Sequence, residues 1–155
     1  MPITFKQSPA KYMVGQPVNQ EHDNYITGVA TANTAFGIPV VATGTGEQVA
    51  PLTAAAQNIV GITIAENFLG HAADRYQQYD IMTIAEDTVV AVLLGADVTR
   101  GAQARFNTGN GTWTAANASS TVLTVPGAQF DEAGTSGGLV ALRYRRPVPS
   151  LSAST

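Results

Sequence analysis

Short apolar segments separated by glycine-containing turns recur along this chain, and their close spacing restricts its fold more than any other feature. Residues 100–113, RGAQARFNTGNGTW, show the pattern: ARFNT and TWTA flank the tip GNG, whose Asn-Gly pair suits the positive φ angles of a tight hairpin. Further strand-like segments are IVGITIAEN (59–67), STVLTV (120–125) and LVALRYR (139–145). About eight to ten short strands at this spacing predict an all-β fold. We expect an antiparallel sandwich or barrel with little helix and an extended N-terminal arm.

Two longer segments lead to more specific expectations. QVAPLTAAAQN (48–58) is the best helical candidate, because Pro51 suits a first turn and an alanine run follows; the alternative is a loop that carries one helical turn. DIMTIAEDTVVAVLLGADV (80–98) predicts two strands about a polar turn at Glu86-Asp87. Within it, VVAVLL (89–94) is apolar on both faces, which predicts a strand covered on both sides.

The chain divides into an arm, a body and a tail. Residues 1–24 are rich in proline, glycine and polar side chains, which predicts an extended N-terminal arm with at most a short edge strand. Phe5, Tyr12 and Met13 supply apolar anchors, so a docking arm and a frayed terminus are both open interpretations. Residues 25–146 are predicted to form a single β-rich domain, and residues 147–155, PVPSLSAST, a flexible C-terminal tail.

Low charge restricts the partners that the surface suits. Charged residues make up 12% of the 155 residues, about half the share of a typical soluble domain. A surface of Thr, Ser, Asn, Gln, Gly and Ala loses its water at a lower cost than one of Lys and Glu, which suits extensive contact with another protein. The net charge of −3 argues against nucleic acid as a partner. No cysteine, signal-peptide-like run or apolar window of roughly 18 residues is present, so a soluble protein without disulfides is expected.

No group of residues predicts catalysis. GTSGG (134–138) matches the Gly-x-Ser-x-Gly elbow of hydrolases around Ser136, but a strand-like segment follows where a helix is needed. Both histidines, His22 and His71, also precede the serine, whereas the hydrolase order needs a histidine after it. A flexible glycine-serine loop is therefore the better interpretation, and a small serine hydrolase that uses Ser136 is a remote alternative.

Other candidate sites are weak for similar reasons. Glu21-His22-Asp23 is read as a solvated loop, because adjacent residues rarely converge on one metal ion. Glu86-Asp87 and Asp131-Glu132 are read as carboxylates that stay in water in turns. GTGEQV (44–49) lacks the third glycine of a dinucleotide-binding motif. The sequence therefore predicts no catalytic residue, no cofactor and no metal.

Arg143, Arg145 and Arg146 form the one dense cationic cluster. The first interpretation is the solvent-facing edge of a sheet, where charge discourages edge-to-edge aggregation. The second is a patch that forms salt bridges with an acidic partner protein. Nucleic acid ranks a distant third, since more basic residues and interleaved aromatic residues would be needed.

The order of the motifs resembles that of the capsid cement proteins, or head-decoration proteins, of tailed bacteriophages. The resemblance rests on AFGIPVVATGTG followed by IVGITIAEN, on the Tyr76-to-Asp80 approach, and on TVVAVLLGADVTRGAQARFNTGNGTWTA. It covers roughly Gly15 to Arg145; the residues before and after match nothing in the family's pattern.

The resemblance implies a structural protein of the virion whose all-β fold is an antiparallel, jelly-roll-like sandwich or barrel. Such a protein binds the outer surface of an icosahedral head as a homodimer or homotrimer and bridges neighbouring major capsid subunits. It is made in the bacterial host cytoplasm and needs no nucleic acid, membrane or small-molecule substrate. The alternative is another β-rich virion module from the tail, the baseplate or a receptor-binding piece, for which Trp113 and the hairpin tips would be the surfaces to test. The residues expected to contact the capsid or a second copy are Phe5, Lys6, Lys11, Tyr12, Met13, Arg143, Arg145 and Arg146.

Overall fold

The computed structural model describes residues 12–19, 23–55, 57–66 and 75–147. Within these ranges the chain forms β-strands and no helix, so none of the described residues belongs to a helix that could cross a membrane. The strands are β1 (Asn24–Ala30), β2 (Thr34–Ala35), β3 (Pro39–Ala42), β4 (Gln48–Pro51), β5 (Ile59–Thr63), β6 (Arg75–Tyr76), β7 (Ile81–Leu93), β8 (Gln103–Asn107), β9 (Thr112–Thr114), β10 (Val122–Phe130) and β11 (Leu139–Arg145).

The main sheet has nine strands in the order β1-β4-β3-β5-β7-β11-β10-β8-β9, and β1 also pairs with β7. That extra pairing closes β1, β4, β3, β5 and β7 into a ring in which only β1 and β4 run parallel. Leu94, directly after β7, forms a bridge with Trp113 of β9, so the other strands also curl back to β7. The expected all-β, barrel-like fold with little helix is confirmed.

Strand β7 is common to both halves of the sheet, and it corrects one expectation. The sequence predicted a turn at Glu86-Asp87, but residues Ile81–Leu93 form one continuous strand. Its first half pairs with β1 and its second half with β11, where Asp87 lies directly opposite Arg145. The two acidic residues therefore stay extended, because both neighbouring strands hold the backbone and the cationic end of β11 accommodates their charge. The covered VVAVLL segment is confirmed for Val89 to Val92 and for Leu94, which are all buried, but not for Leu93, which is 36% exposed at the end of the strand.

The helix predicted over residues 48–58 is wrong. Residues Gln48–Pro51 form β4, which lies between β1 and β3, and Val49 is buried. The Gln57 side-chain oxygen then accepts hydrogen bonds from the backbone N–H groups of Thr53 (2.9 Å) and Ala54 (3.0 Å), which fixes a loop. Pairing with two strands outweighs the small helical preference of an alanine-rich segment.

Two apolar clusters form the core. One draws on the five-stranded ring and includes Val40, Val49 and Ile84. The other includes residues of β3 and β5 as well as of β7 to β11, among them Phe106 and Trp113, whose rings meet edge to face at 5.4 Å. The Trp113 indole N–H donates to the carbonyl oxygen of Gly37 (2.8 Å) and so ties the two halves of the molecule together.

The root of the N-terminal segment, residues 12–19, lies along β7. The N–H of Gly15 donates to Ala91 O (2.8 Å), and the N–H of Val18 donates to Val89 O (2.7 Å). In return, the N–H of Ala91 donates to Gln16 O (2.9 Å). Gly15 has a φ of 75°, and a Cβ built there would lie 2.7 Å from the Cβ of Phe36. These bonds cover backbone groups of β7 and give the segment a fixed position on the barrel.

Candidate functional site

Ser136, the candidate nucleophile of the sequence, is hydrogen-bonded within the chain. The Ser136 hydroxyl donates to the carbonyl oxygen of Gly95 (3.1 Å), and its backbone N–H donates to Asp97 Oδ1 (2.9 Å). Ser136 therefore sits in an exposed turn, which agrees with the loop interpretation of GTSGG. No cluster of three potential metal ligands occurs among the residues that the structure describes.

The two histidines, as well as Glu21, lie outside the described residues. Of the Glu21-His22-Asp23 motif only Asp23 is described, and its side chain accepts a hydrogen bond from the Thr88 hydroxyl (2.9 Å).

The three arginines do not lie at the edge of a sheet, which corrects the first interpretation of this cluster. Strand β11 lies between β7 and β10, so its backbone is paired on both sides. The arginines instead form ion pairs within the chain. The pairs are Arg143–Asp131 (3.0 Å), Arg145–Asp87 (3.6 Å) and Arg146–Glu86 (2.6 Å). As a result, the positive charge of this patch is largely balanced by the chain's own carboxylates.

The predicted contact residues of the arm are only partly described. Phe5, Lys6 and Lys11 lie outside the described residues. The Tyr12 hydroxyl donates to Glu132 Oε1 (2.6 Å), which fixes it against the loop after β10. Met13 is 57% exposed, a large fraction for an apolar side chain, and it lies two residues from the anchored Gly15. Its side chain is therefore held at the surface by a rigid support.

A second exposed apolar patch was not recognised in the sequence. Tyr79 is 76% exposed and Ile81 is 68% exposed, and both lie at the turn that leads into β7. Tyr79 has a φ of 73°, an uncommon conformation for a side chain of this size. The turn is held by the Tyr79 N–H, which donates to Ala30 O (2.7 Å), and by the Gln77 N–H, which donates to Asp80 Oδ2 (2.8 Å). In the sequence, only the short segment from Tyr76 to Tyr79 pointed to this patch. That segment does not indicate that Tyr76 is buried and Tyr79 exposed.

Trp113 does not form part of a binding surface. It is 1% exposed, and its one polar group is bonded to Gly37. A binding surface built on an exposed Trp113 therefore has no basis in the structure. This finding weakens the receptor-binding alternative in the form the sequence suggested.

Burial raises the pKa of two tyrosines inside the barrel. Tyr76 has a pKa of about 12, mainly because burial disfavours the charged phenolate, and its hydroxyl donates to the carbonyl oxygen of Ile64. Tyr144 also has a pKa of about 12, for the same main reason. Both hydroxyls are therefore protonated at neutral pH, and the Tyr76 hydroxyl uses its proton in the bond to Ile64 O.

Comparisons with known proteins relate this geometry to one family. The model of the phage cement family, described as structural cement protein (E217 gp24/Pam3 gp6), matches residues 1–145. The solved structure "The capsid of Myoviridae Phage XM1" is similar with a TM-score of 0.74 and 13% identity, and the similarity covers 94% of this chain and 97% of that chain. The similarity supports the all-β fold.

A further solved structure, "The crystal structure of head fiber gp8.5 N base in bacteriophage phi29", gives a TM-score of 0.45 and 16% identity. It covers 83% of this chain and 99% of that chain. No curated protein sequence shows significant similarity to the chain.

Proposed function

Because this chain belongs to the phage structural cement protein family, we propose that it binds the outer surface of an icosahedral phage head and bridges neighbouring major capsid subunits. Its role is structural and is associated with the capsid of the virion. The observation that carries the proposal is the extent of the family match, which includes the arm as well as the barrel. We further propose that the protein is not an enzyme, needs no cofactor, and is made in the cytoplasm of the bacterial host.

The described surface supports adhesion through uncharged groups. Each arginine of the β11 cluster already has a carboxylate partner, whereas Met13, Tyr79 and Ile81 present apolar atoms to solvent. Such side chains gain free energy when a partner covers them, at roughly 25 cal/mol for each Å² of apolar surface. The partners we propose are the major capsid protein and further copies of this chain, as a homodimer or homotrimer.

Repetition of a modest contact would stabilise the shell. An oligomer leaves the capsid only when all of its contacts break together, so it stays bound longer than a single contact would allow. The arm and one face of the barrel then lie across a seam between capsid subunits. Phe5, Lys6, Lys11, Tyr12 and Met13 are the proposed contacts of the arm. Arg143, Arg145 and Arg146 are the proposed contacts at the rim of the barrel face, where a partner covers their existing ion pairs without replacing them.

Co-sedimentation with undecorated heads of the source phage tests the proposal. We expect saturable binding at a fixed number of copies per capsomer. A variant lacking residues 1–11 keeps Tyr12 and the Gly15 root and should unfold at the same urea concentration as the full chain, but bind more weakly. Equal binding by both proteins would support the cement role but would show that residues 1–11 do not contribute to head binding. Absence of binding by the full chain would favour another virion module.

A further inference from the structure

A groove lies where the loop before β5 approaches β10 and the end of β11. Its larger part encloses about 420 Å³, with Ile59, Pro126 and Tyr144 among its walls and Asn58 and Arg146 at its polar rim. A smaller cavity of about 140 Å³ shares Gln57, Ile59 and Pro126 with it and continues towards Leu52 and Leu123. Because they share these residues, the two cavities are adjacent, and together they form one mainly apolar groove region. We call it the Tyr144 groove.

Tyr144 brings an unusual polar group to this groove. Its side chain is 0% exposed, and its hydroxyl is the one buried side-chain N or O atom in the described part of the chain that has no hydrogen-bond partner. Buried hydroxyls normally find a partner, and one without a partner destabilises the free protein. A ligand that accepts a hydrogen bond from this hydroxyl would remove that cost.

The charges beside the groove cancel. The Arg146 guanidinium contacts Glu86 Oε1 (2.6 Å), and its backbone N–H donates to Glu86 O (2.8 Å). Both charges lie near enough to the Tyr144 hydroxyl to shift its pKa, in opposite directions. A charged ligand would be attracted by one of them and repelled by the other. The groove therefore suits an uncharged ligand with one hydrogen-bond acceptor.

We propose that the Tyr144 groove binds an extended, uncharged segment of the major capsid protein, one carbonyl oxygen of which accepts a hydrogen bond from the Tyr144 hydroxyl. This inference rests on the proposed function and names the contact through which it operates. An extended segment has carbonyl oxygens that are free to accept this bond, whereas a helix pairs them internally, and the walls at Ile59 and Pro126 cover the segment's apolar side chains. The segment reaches the hydroxyl when the partly exposed Arg146 side chain turns outward. That movement is inexpensive, because an ion pair at the surface contributes little to stability.

The substitution Tyr144→Phe tests the hydrogen bond. It removes only the hydroxyl, so the melting temperature should stay equal or rise, while the dissociation constant for undecorated heads should increase about fivefold. Tyr76→Phe is the matched control, because its hydroxyl already has a partner in Ile64 O. That control should melt at a lower temperature and bind heads as the wild type does. Equal affinity of Tyr144→Phe and the wild type would overturn the groove while leaving the proposed function intact.

Photo-crosslinking identifies the occupant. The chain has no cysteine, so a single Asn58→Cys substitution at the rim can carry a benzophenone probe without side reactions. We expect this probe to crosslink to the major capsid protein on heads. The same probe at Thr135→Cys, in the exposed turn before β11 and at the opposite end of that strand from Tyr144, should not. Crosslinks to a second copy of this chain would overturn the proposed occupant, and absence of binding by the wild type would overturn the proposed function together with it.

Discussion

The substitution Gly15→Ala tests whether the N-terminal root packs on the barrel as described. At a φ of 75°, an alanine costs about 1 kcal/mol more than glycine. Its Cβ would also lie 2.7 Å from Phe36 Cβ and 3.0 Å from the backbone nitrogen of Ala65, and neither neighbour is the free end of a flexible side chain. Relief requires a shift of the segment that weakens the hydrogen bond from Gly15 N–H to Ala91 O (2.8 Å). Overpacking of this kind costs about 1–3 kcal/mol, so the free energy of unfolding should fall by about 2–4 kcal/mol in total.

Gly44→Ala is the matched control for this prediction. Gly44 has a φ of 86°, and no atom lies within 4 Å of a Cβ built there. The backbone cost and the change in the entropy of the unfolded chain are therefore similar at both sites, and they cancel when the two variants are compared. Urea unfolding, followed through the fluorescence of the single tryptophan, should show Gly15→Ala less stable than Gly44→Ala by about 1–3 kcal/mol.

A difference below about 0.5 kcal/mol between the two variants, within the usual scatter of surface substitutions, would refute the reasoning. It would mean that residues 12–19 do not pack against Phe36 and β7 in solution. The root of the arm would then have no fixed position on the barrel. Met13 would then have no fixed support, and it could not be the contact through which the variant lacking residues 1–11 still binds heads.

Three further predictions concern the core and the charged surface. Trp113→Phe should lower the free energy of unfolding by about 2–3 kcal/mol, measured by circular dichroism in urea, because it leaves a void and removes the donor to Gly37 O. The pKa of Tyr76 is raised from 10.0 to about 12, so stability should be constant below pH 10 and fall between pH 10 and 12, where the unfolded state loses the proton first. The slope is at most about 1.4 kcal/mol per pH unit for this residue. Tyr76→Phe should reduce the fall of the urea midpoint between pH 10 and pH 12 without abolishing it, because Tyr25 and Tyr144 also have pKa values raised to about 12. Arg145→Ala should change stability by less than about 0.5 kcal/mol in the same assay, because its pair with Asp87 is mostly exposed; a loss above 1.5 kcal/mol would contradict this.

The elements that local chemistry determines were predictable from the sequence. Strand β11 spans Leu139–Arg145 as expected, with Val140, Leu142 and Tyr144 buried on one face. The hairpin with Gly111 at a φ of 71° follows from its Asn-Gly pair. In both cases the side-chain pattern and the turn residues favour the same local structure, and tertiary packing favours it too.

The errors arose where distant strands decide the backbone. Glu86 and Asp87 have the composition of a turn, yet partners on β1 and β11 hold them in the middle of β7. Residues 48–51 belong to an alanine-containing segment, yet their strand lies between β1 and β3. A single sequence does not contain the pairing of strands so far apart along the chain, and that pairing outweighs differences of a few tenths of a kcal/mol in local preference.

The same limit applies to the candidate contact surfaces. The sequence drew attention to charged and aromatic residues, and the structure shows what each of them already binds. Arg146 has Glu86 as a partner and Trp113 has Gly37, whereas Tyr144 has no partner for its hydroxyl and Tyr79 is open to solvent. Residues whose bonds are satisfied within the chain gain little when a capsid subunit covers them, because each new contact must replace an existing one. A cement protein of this kind would thus bind chiefly through groups that folding leaves unsatisfied, and such groups become visible only when the whole chain is assembled.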